Sequence, residues 1–233
     1  MPAATPAEVA LALRRAASAG PFFAADLPPL LPEDGWHPAP ALRMPSPALA
    51  AAIAEVGRVT AAPRPRVAAS LFTMSLTGRL MSVAVGAVLL GGVLVDLRGA
   101  EWRYLPGTGV RLRLPVLDGR GGPVAGLWPL LGEQLLDDHL AAVFAAVREI
   151  APVSGRLLLG NAASSALGAL QSLAATGVPL ARCRAAASAL LELPALRDTG
   201  TLTGPGLGFR RRSCCLFYLL PGSGKCADCA LLR

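Results

Sequence analysis

The apolar and polar positions of the chain follow a helical period, switch to a two-residue period near the middle, and then return to the helical one. Thr5-Pro6-Ala7-Glu8 reads as a capping box with proline at the first helical position, so a helix should start there and stop near Gly20-Pro21. Ser46-Pro47 repeats the start signal and predicts a second helix to about Thr60. Between them, residues 21–45 hold many prolines together with Trp36 and His37, and read as an irregular connection. After Pro63 and Pro65 a long apolar helix is predicted from about Val67 to Leu90. Its run from Leu80 to Val95 is apolar throughout, yet shorter than the roughly 20 residues that span a bilayer, and Arg79 and Asp96 bound it. A buried core helix is therefore expected, with Gly91-Gly92 marking its end and the start of a strand.

Val93 to Leu97, Glu101 to Leu105 and Val110 to Leu114 are short runs separated by Gly99 and Pro106-Gly107. In the last, Val110, Leu112 and Leu114 alternate with Arg111 and Arg113, as in a half-buried strand. One small antiparallel sheet is expected from these runs, followed by a loop from Gly119 to Gly126. A helix is then predicted from about Gly132 to Ile150, because Leu135, Leu136, His139, Val143, Phe144 and Val147 share one face. Further helices are expected from Ser154 to Ala174 and from Pro179 to Leu193, and residues 194–213 read as loop. The fold class is α+β: mostly helical layers around a small antiparallel sheet, closed by a short cysteine-rich C-terminal module. Residues 1–200 would form the body and 201–233 the module.

Composition narrows the class. With 53% hydrophobic and 16% charged residues the chain can bury a core and is not disordered. The formal charge of +7 is spread over the predicted helices, and aromatics are 5%, so no basic stripe with interleaved aromatics marks a nucleic-acid surface. No basic segment followed by an apolar one opens the sequence, so a cytoplasmic protein without a membrane span is expected.

Candidate chemistry gathers at the end. Four of the five cysteines form the pattern Cys214-Cys215, ten residues, Cys226, two residues, Cys229. Three chemistries compete for them. A disulfide framework suits exported chains and conflicts with the expected compartment. Structural zinc would accept Cys226-x-x-Cys229 as a half-site, but its sites usually draw both pairs at spacings of two to four residues. Adjacent cysteines tend to diverge, which suits a [2Fe–2S] cluster, where each iron takes two thiolates. Spacing alone favours the cluster over zinc only modestly.

The pattern, with its local text Arg212-Ser213-Cys214-Cys215-Leu216-Phe217-Tyr218 and Cys226-Ala227-Asp228-Cys229, resembles the C-terminal domain of FhuF-like ferric siderophore reductases. Upstream, Leu157-Leu158-Leu159-Gly160-Asn161 is similar to a family segment that often carries tryptophan before the Gly-Asn pair, where this chain has Leu159. The resemblance implies a [2Fe–2S] cluster held by Cys214, Cys215, Cys226 and Cys229. It also implies a body that receives a ferric siderophore, and one-electron reduction of the chelated iron in the cytoplasm. A reduced ferredoxin-like protein or a flavoprotein would supply the electron. A [2Fe–2S] carrier or redox sensor without siderophore chemistry, and a zinc-stabilised binding module, are the competing functions. Arg210, Arg211, Arg212 and Lys225 flank the ligands and would either offset the negative cluster or remain solvated loop charges.

Other signals are weaker. Pro221-Gly222-Ser223-Gly224-Lys225 fails as a phosphate loop, because Leu219 replaces the first glycine and Cys226 the hydroxyl residue. Gly119, Gly121, Gly122 and Gly126 are not expected to form the strand–turn–helix of a dinucleotide site. Cys183 reads as a small buried residue, and His37 and His139 as too far apart to share a metal. Asp137 and Asp138 read as exposed neighbours. Arg103, Arg111 and Arg113 read as a solvated strand face, with an anion-attracting face as the alternative.

Overall fold

A computed structural model describes residues 1–232; Arg233, the last residue of the expected C-terminal module, lies outside the described residues. Helix α1 (Pro6–Ala17) starts as expected, with the Thr5 hydroxyl accepting from the Glu8 N–H and the Glu8 carboxylate accepting from the Thr5 N–H. The irregular segment that follows contributes a two-residue strand, β1 (His37–Pro38). Ser46 caps α2 (Pro47–Val59), and α3 (Pro65–Gly91) ends at Gly92, whose left-handed φ of 64° lets the chain turn out of the helix.

The strands differ from expectation. β2 (Val93–Val95) does not join β3 (Glu101–Leu105) and β4 (Gly109–Arg113). It pairs with β5 (Gly119–Gly121) in a separate ribbon, while β3 lies between β1 and β4. The glycine segment 119–126 is thus no loop: β5 leads directly into α4 (Val124–Leu131). It is still no dinucleotide site, because the pairing is antiparallel and the Met1 side chain lies against Gly122 and Gly126.

The helix expected from Gly132 therefore begins eight residues earlier. It runs from α4 through a π-helical stretch (Gly132–Leu140) into α5 (Ala141–Ile150). Pro129 sits near its start, where it removes one hydrogen bond without ending the helix. α6 (Gly155–Ala175) and α7 (Leu180–Glu192) match their sequence signals. The segment expected to be loop instead forms a hairpin, β6 (Gly200–Thr203) and β7 (Gly208–Arg211), across a Gly204-Pro205-Gly206 turn.

The architecture is α+β, with three small antiparallel sheets among the described residues rather than one. α3 and α6 pack on each other at its centre. Both are long and apolar enough to cross a bilayer by length and composition, and 72% and 61% of their most apolar windows are buried inside the fold. α3 has little amphipathic character because it is covered on nearly all sides, by α1, α2 and α6 among others. Three of its buried polar residues, Ser70, Thr73 and Thr77, face α6: Thr77 bonds Ser165 Oγ at 2.9 Å, and Thr73 bonds Asn161 at 3.1 Å.

Candidate metal centre

The cysteine segment is anchored by the hairpin that precedes it. Phe209 and Arg211 point inward from β7 and Arg210 points outward, the two-residue period of a strand. The Arg211 N–H then donates to the Asp228 carbonyl at 3.1 Å, and the Arg212 N–H donates to the Thr199 carbonyl at 2.8 Å. From α3, the Ser70 hydroxyl donates to the Cys215 carbonyl at 2.6 Å. After Cys215 the backbone reverses through Leu216, a non-glycine residue with φ of 66°, and enters a short 3-10 turn (Phe217–Leu219). Such a conformation costs about 1–3 kcal/mol and persists only where its surroundings impose it. Here it directs the Leu216 N–H to Cys214 Sγ at 3.4 Å.

The four cysteines of the sequence pattern all lie in this segment, and two of their sulfurs are in contact. Cys215 and Cys226 face each other with Sγ atoms 3.4 Å apart. Cys229 Sγ accepts from the Leu231 N–H at 3.3 Å, the same two-residue offset seen at Cys214. Cys215 and Cys229 are buried, whereas Cys214 and Cys226 are half-buried. Each pair therefore supplies one inner and one outer sulfur. All five cysteines are free, including Cys183, which lies alone and buried in α7. Burial pushes the thiols of Cys214 and Cys226 above their ordinary pKa. At Cys226 the neighbouring Cys215 adds to the rise, and at Cys214 the Leu216 N–H and the Arg211 charge oppose it.

The donor set fits an iron–sulfur cluster. Backbone N–H groups already address one sulfur of each pair, as hydrogen bonds that stabilise cluster thiolates do. Among the described residues, no three His, Cys, Asp or Glu groups converge on the position of a single ion. A further fit lies in Arg211. Its side chain is 2% exposed, its Nη2 donates to Asn161 Oδ1 at 2.7 Å, and its Nε and Nη1 are buried without a partner among the described residues.

The sequence did not mark this supporting layer as one unit. Asn161, fully buried in α6, also donates to the Ser70 carbonyl at 3.0 Å, so it ties α3, α6 and the cysteine hairpin together. Gly160 lies under the same contact: a Cβ there would overlap the Ser213 hydroxyl and sit 3.0 Å from Arg211 Nη2. The Gly160-Asn161 pair was the available signal, as was the polar stripe in an otherwise apolar α3. Leu159, beside them, is half-buried at the edge of the core.

The remaining candidates serve the body. Arg103 pairs with Glu33 at 2.8 Å, Arg111 with Asp26 at 2.9 Å, and Arg113 with Glu101, while Arg103 and Arg113 also stack on Trp36. That face is neutralised rather than anion-attracting. His37 packs against Trp102 in the sheet, whereas His139 is buried on the π-helical stretch. Asp137 is exposed, but Asp138 is half-buried and bridges Arg43 at 2.6 Å and Arg98 at 3.3 Å.

No curated protein matches the chain. Residues 211–231, which carry all four clustered cysteines, match the family model of the FhuF 2Fe-2S C-terminal domain. The C-terminal segment is accordingly FhuF-like, and the cofactor of this chain is a [2Fe–2S] cluster.

Proposed function

We propose that this chain is a [2Fe–2S] ferric siderophore reductase of the cytoplasm, with Cys214, Cys215, Cys226 and Cys229 as the cluster ligands. When bound, the cluster supplies one electron at a time, which matches the need of a ferric chelate. Siderophores hold iron(III) with hard oxygen donors and iron(II) far less tightly, so a single electron loosens the metal. The observation that carries the reading is the paired sulfur geometry. Cys215 and Cys226 close to 3.4 Å, backbone N–H groups support the other two sulfurs, and one sulfur of each pair faces outward.

The chain's own residues give the site its shape. Ser70 and Arg211 fix the backbone on both sides of the ligands through the Cys215 and Asp228 carbonyls. A groove of about 430 Å³ opens beside Asp228, lined also by Ser164, Gln171 and Arg210, and offers a bulky chelate a polar approach within reach of the ligand loop. Tyr218, Leu231 and Leu232 expose apolar surface around the same loop, which suits docking of a reduced ferredoxin-like protein or a flavoprotein as electron donor. In this reading residues 1–200 bring Ser164 and Gln171 to the siderophore groove, and residues 201–233 carry the cluster and complete the groove with Arg210 and Asp228.

The test is anaerobic. Reconstituted protein should hold iron and inorganic sulfide in equal amounts without zinc, bleach on dithionite, and recover its colour when mixed with a ferric siderophore while an iron(II) chelator traps the product. Failure to reoxidise with any ferric chelate would leave a carrier or sensor, and stoichiometric zinc without sulfide would remove redox chemistry altogether. Cys215→Ser, which removes the sulfur facing Cys226, should lose the visible spectrum of the oxidised cluster; an unchanged spectrum would refute its assignment as a ligand.

A further inference from the structure

Four cations flank the cysteines, and three of them are committed elsewhere. Arg212 pairs with Asp198 at 3.0 Å, Arg210 donates to the Leu232 carbonyl, and Lys225 donates to the Leu231 carbonyl at 3.1 Å. Arg211 differs in kind. The strand period of β7 turns it inward, Asn161 holds Nη2, and the two remaining donor nitrogens are buried with no partner among the described residues. A buried guanidinium with idle N–H groups is an uncompensated cost unless something outside the chain accepts from them. Its backbone N–H is bound to the carbonyl of Asp228, between Cys226 and Cys229, and its side chain is tied through Asn161 to Ser70, whose hydroxyl donates to the Cys215 carbonyl.

We propose that Arg211 is the internal counter-ion of the cluster, its Nε and Nη1 donating hydrogen bonds to cluster sulfur, and that it sets the reduction potential, with Asn161 as the residue that positions it. The proposal rests on the [2Fe–2S] reading. Reduction adds one negative charge to a cluster that is already negative, and a buried, unscreened cation beside it favours the reduced form. Hydrogen bonds to the sulfurs act in the same direction. The outward-facing arginines and Lys225 cannot do this equally, because solvent screens them.

Two measurements on the reconstituted full chain test it. In a redox titration, Arg211→Gln should favour the oxidised cluster about tenfold more than wild type does, which lowers the midpoint by about 59 mV for a one-electron couple. In wild-type protein carrying arginine labelled with nitrogen-15 at the guanidinium, pulsed EPR of the dithionite-reduced cluster should show a nitrogen-15 coupling that Arg211→Gln abolishes. Should that variant fail to fold, the labelled wild type decides alone. A cluster with full iron and sulfide content but no arginine coupling, or an Arg211→Gln cluster at the wild-type potential, overturns the role of Arg211. A wild-type chain that takes up no iron and sulfide overturns the cluster reading as well, so the two failures are told apart.

Discussion

His139 is 1% exposed on the π-helical stretch, and neither ring nitrogen has a partner among the described residues. Burial, with help from the nearby Arg43 and Arg98 charges and against Asp138 and Asp96, lowers its pKa from 6.5 to about 4. The unfolded chain therefore takes up this proton first as the pH falls. The stability it governs is intact above about pH 6.5 and is lost between there and about pH 4, to the extent of about 3 kcal/mol. His139→Leu removes both the titration and two unsatisfied nitrogens, so urea unfolding should show a variant at least as stable as the parent at pH 7 and clearly more stable at pH 5. A parallel pH dependence in parent and variant would show that His139 does not govern this limb. At the same scale, the four clustered cysteines were legible because sulfur spacing is itself chemical information. Arg211 was not: in Arg210-Arg211-Arg212 the three side chains read alike, and only the alternation of β7, a strand missed in the sequence, turns the middle one inward.

α6 carries two internal glycines with opposite surroundings. Gly168 faces open space, whereas Gly160 lies against Ser213 and Arg211. Alanine at a helix interior gains about 1 kcal/mol over glycine, so Gly168→Ala should raise the melting temperature by about 2–4 °C for a chain of this size. The same methyl at Gly160 meets an anchored guanidinium, and overpacking of that kind costs about 1–3 kcal/mol. Gly160→Ala should thus melt no higher than the parent and lose its visible chromophore faster in the presence of an iron chelator. Equal gains from both substitutions would mean that the hairpin is not seated on α6 at this point. The helices themselves were readable because caps and prolines are local signals, as at Thr5, Ser46 and Ser154. The short strands were not. Gly119-Arg120-Gly121 has no apolar residue and is a strand because β2 pairs with it on one edge and residues 2–4 on the other. The β6–β7 hairpin did leave a signal, Gly204-Pro205-Gly206 between runs rich in threonine and arginine, that four-residue strands make easy to overlook.

Across the whole molecule, the core and the cluster segment are stabilised by different means. The core is a continuous apolar cluster that draws on every long helix. From residue 212 to 232, by contrast, the buried residues are Cys215 and Cys229, so the segment has no apolar centre of its own. It is tethered to the body by Ser70 on the Cys215 carbonyl, by Asn161 on Arg211 and by Ser164 on Asp228. Short segments without a core depend on a metal or a crosslink for their order, and metal-binding energy then appears as local folding energy. Anaerobic removal of the cluster should therefore raise amide exchange throughout residues 212–232 and leave α3 and α6 protected, with little change in helical circular dichroism. If cluster removal instead unfolds α3 and α6 together with the C-terminal segment, the body depends on its cofactor in a way that its own buried surface does not require. Ser70 separates these cases further: Ser70→Ala cuts one tether from the body side without touching a sulfur. It should increase exchange in the cluster-free segment more than in the cluster-bound one, because the cluster itself then supplies the missing constraint.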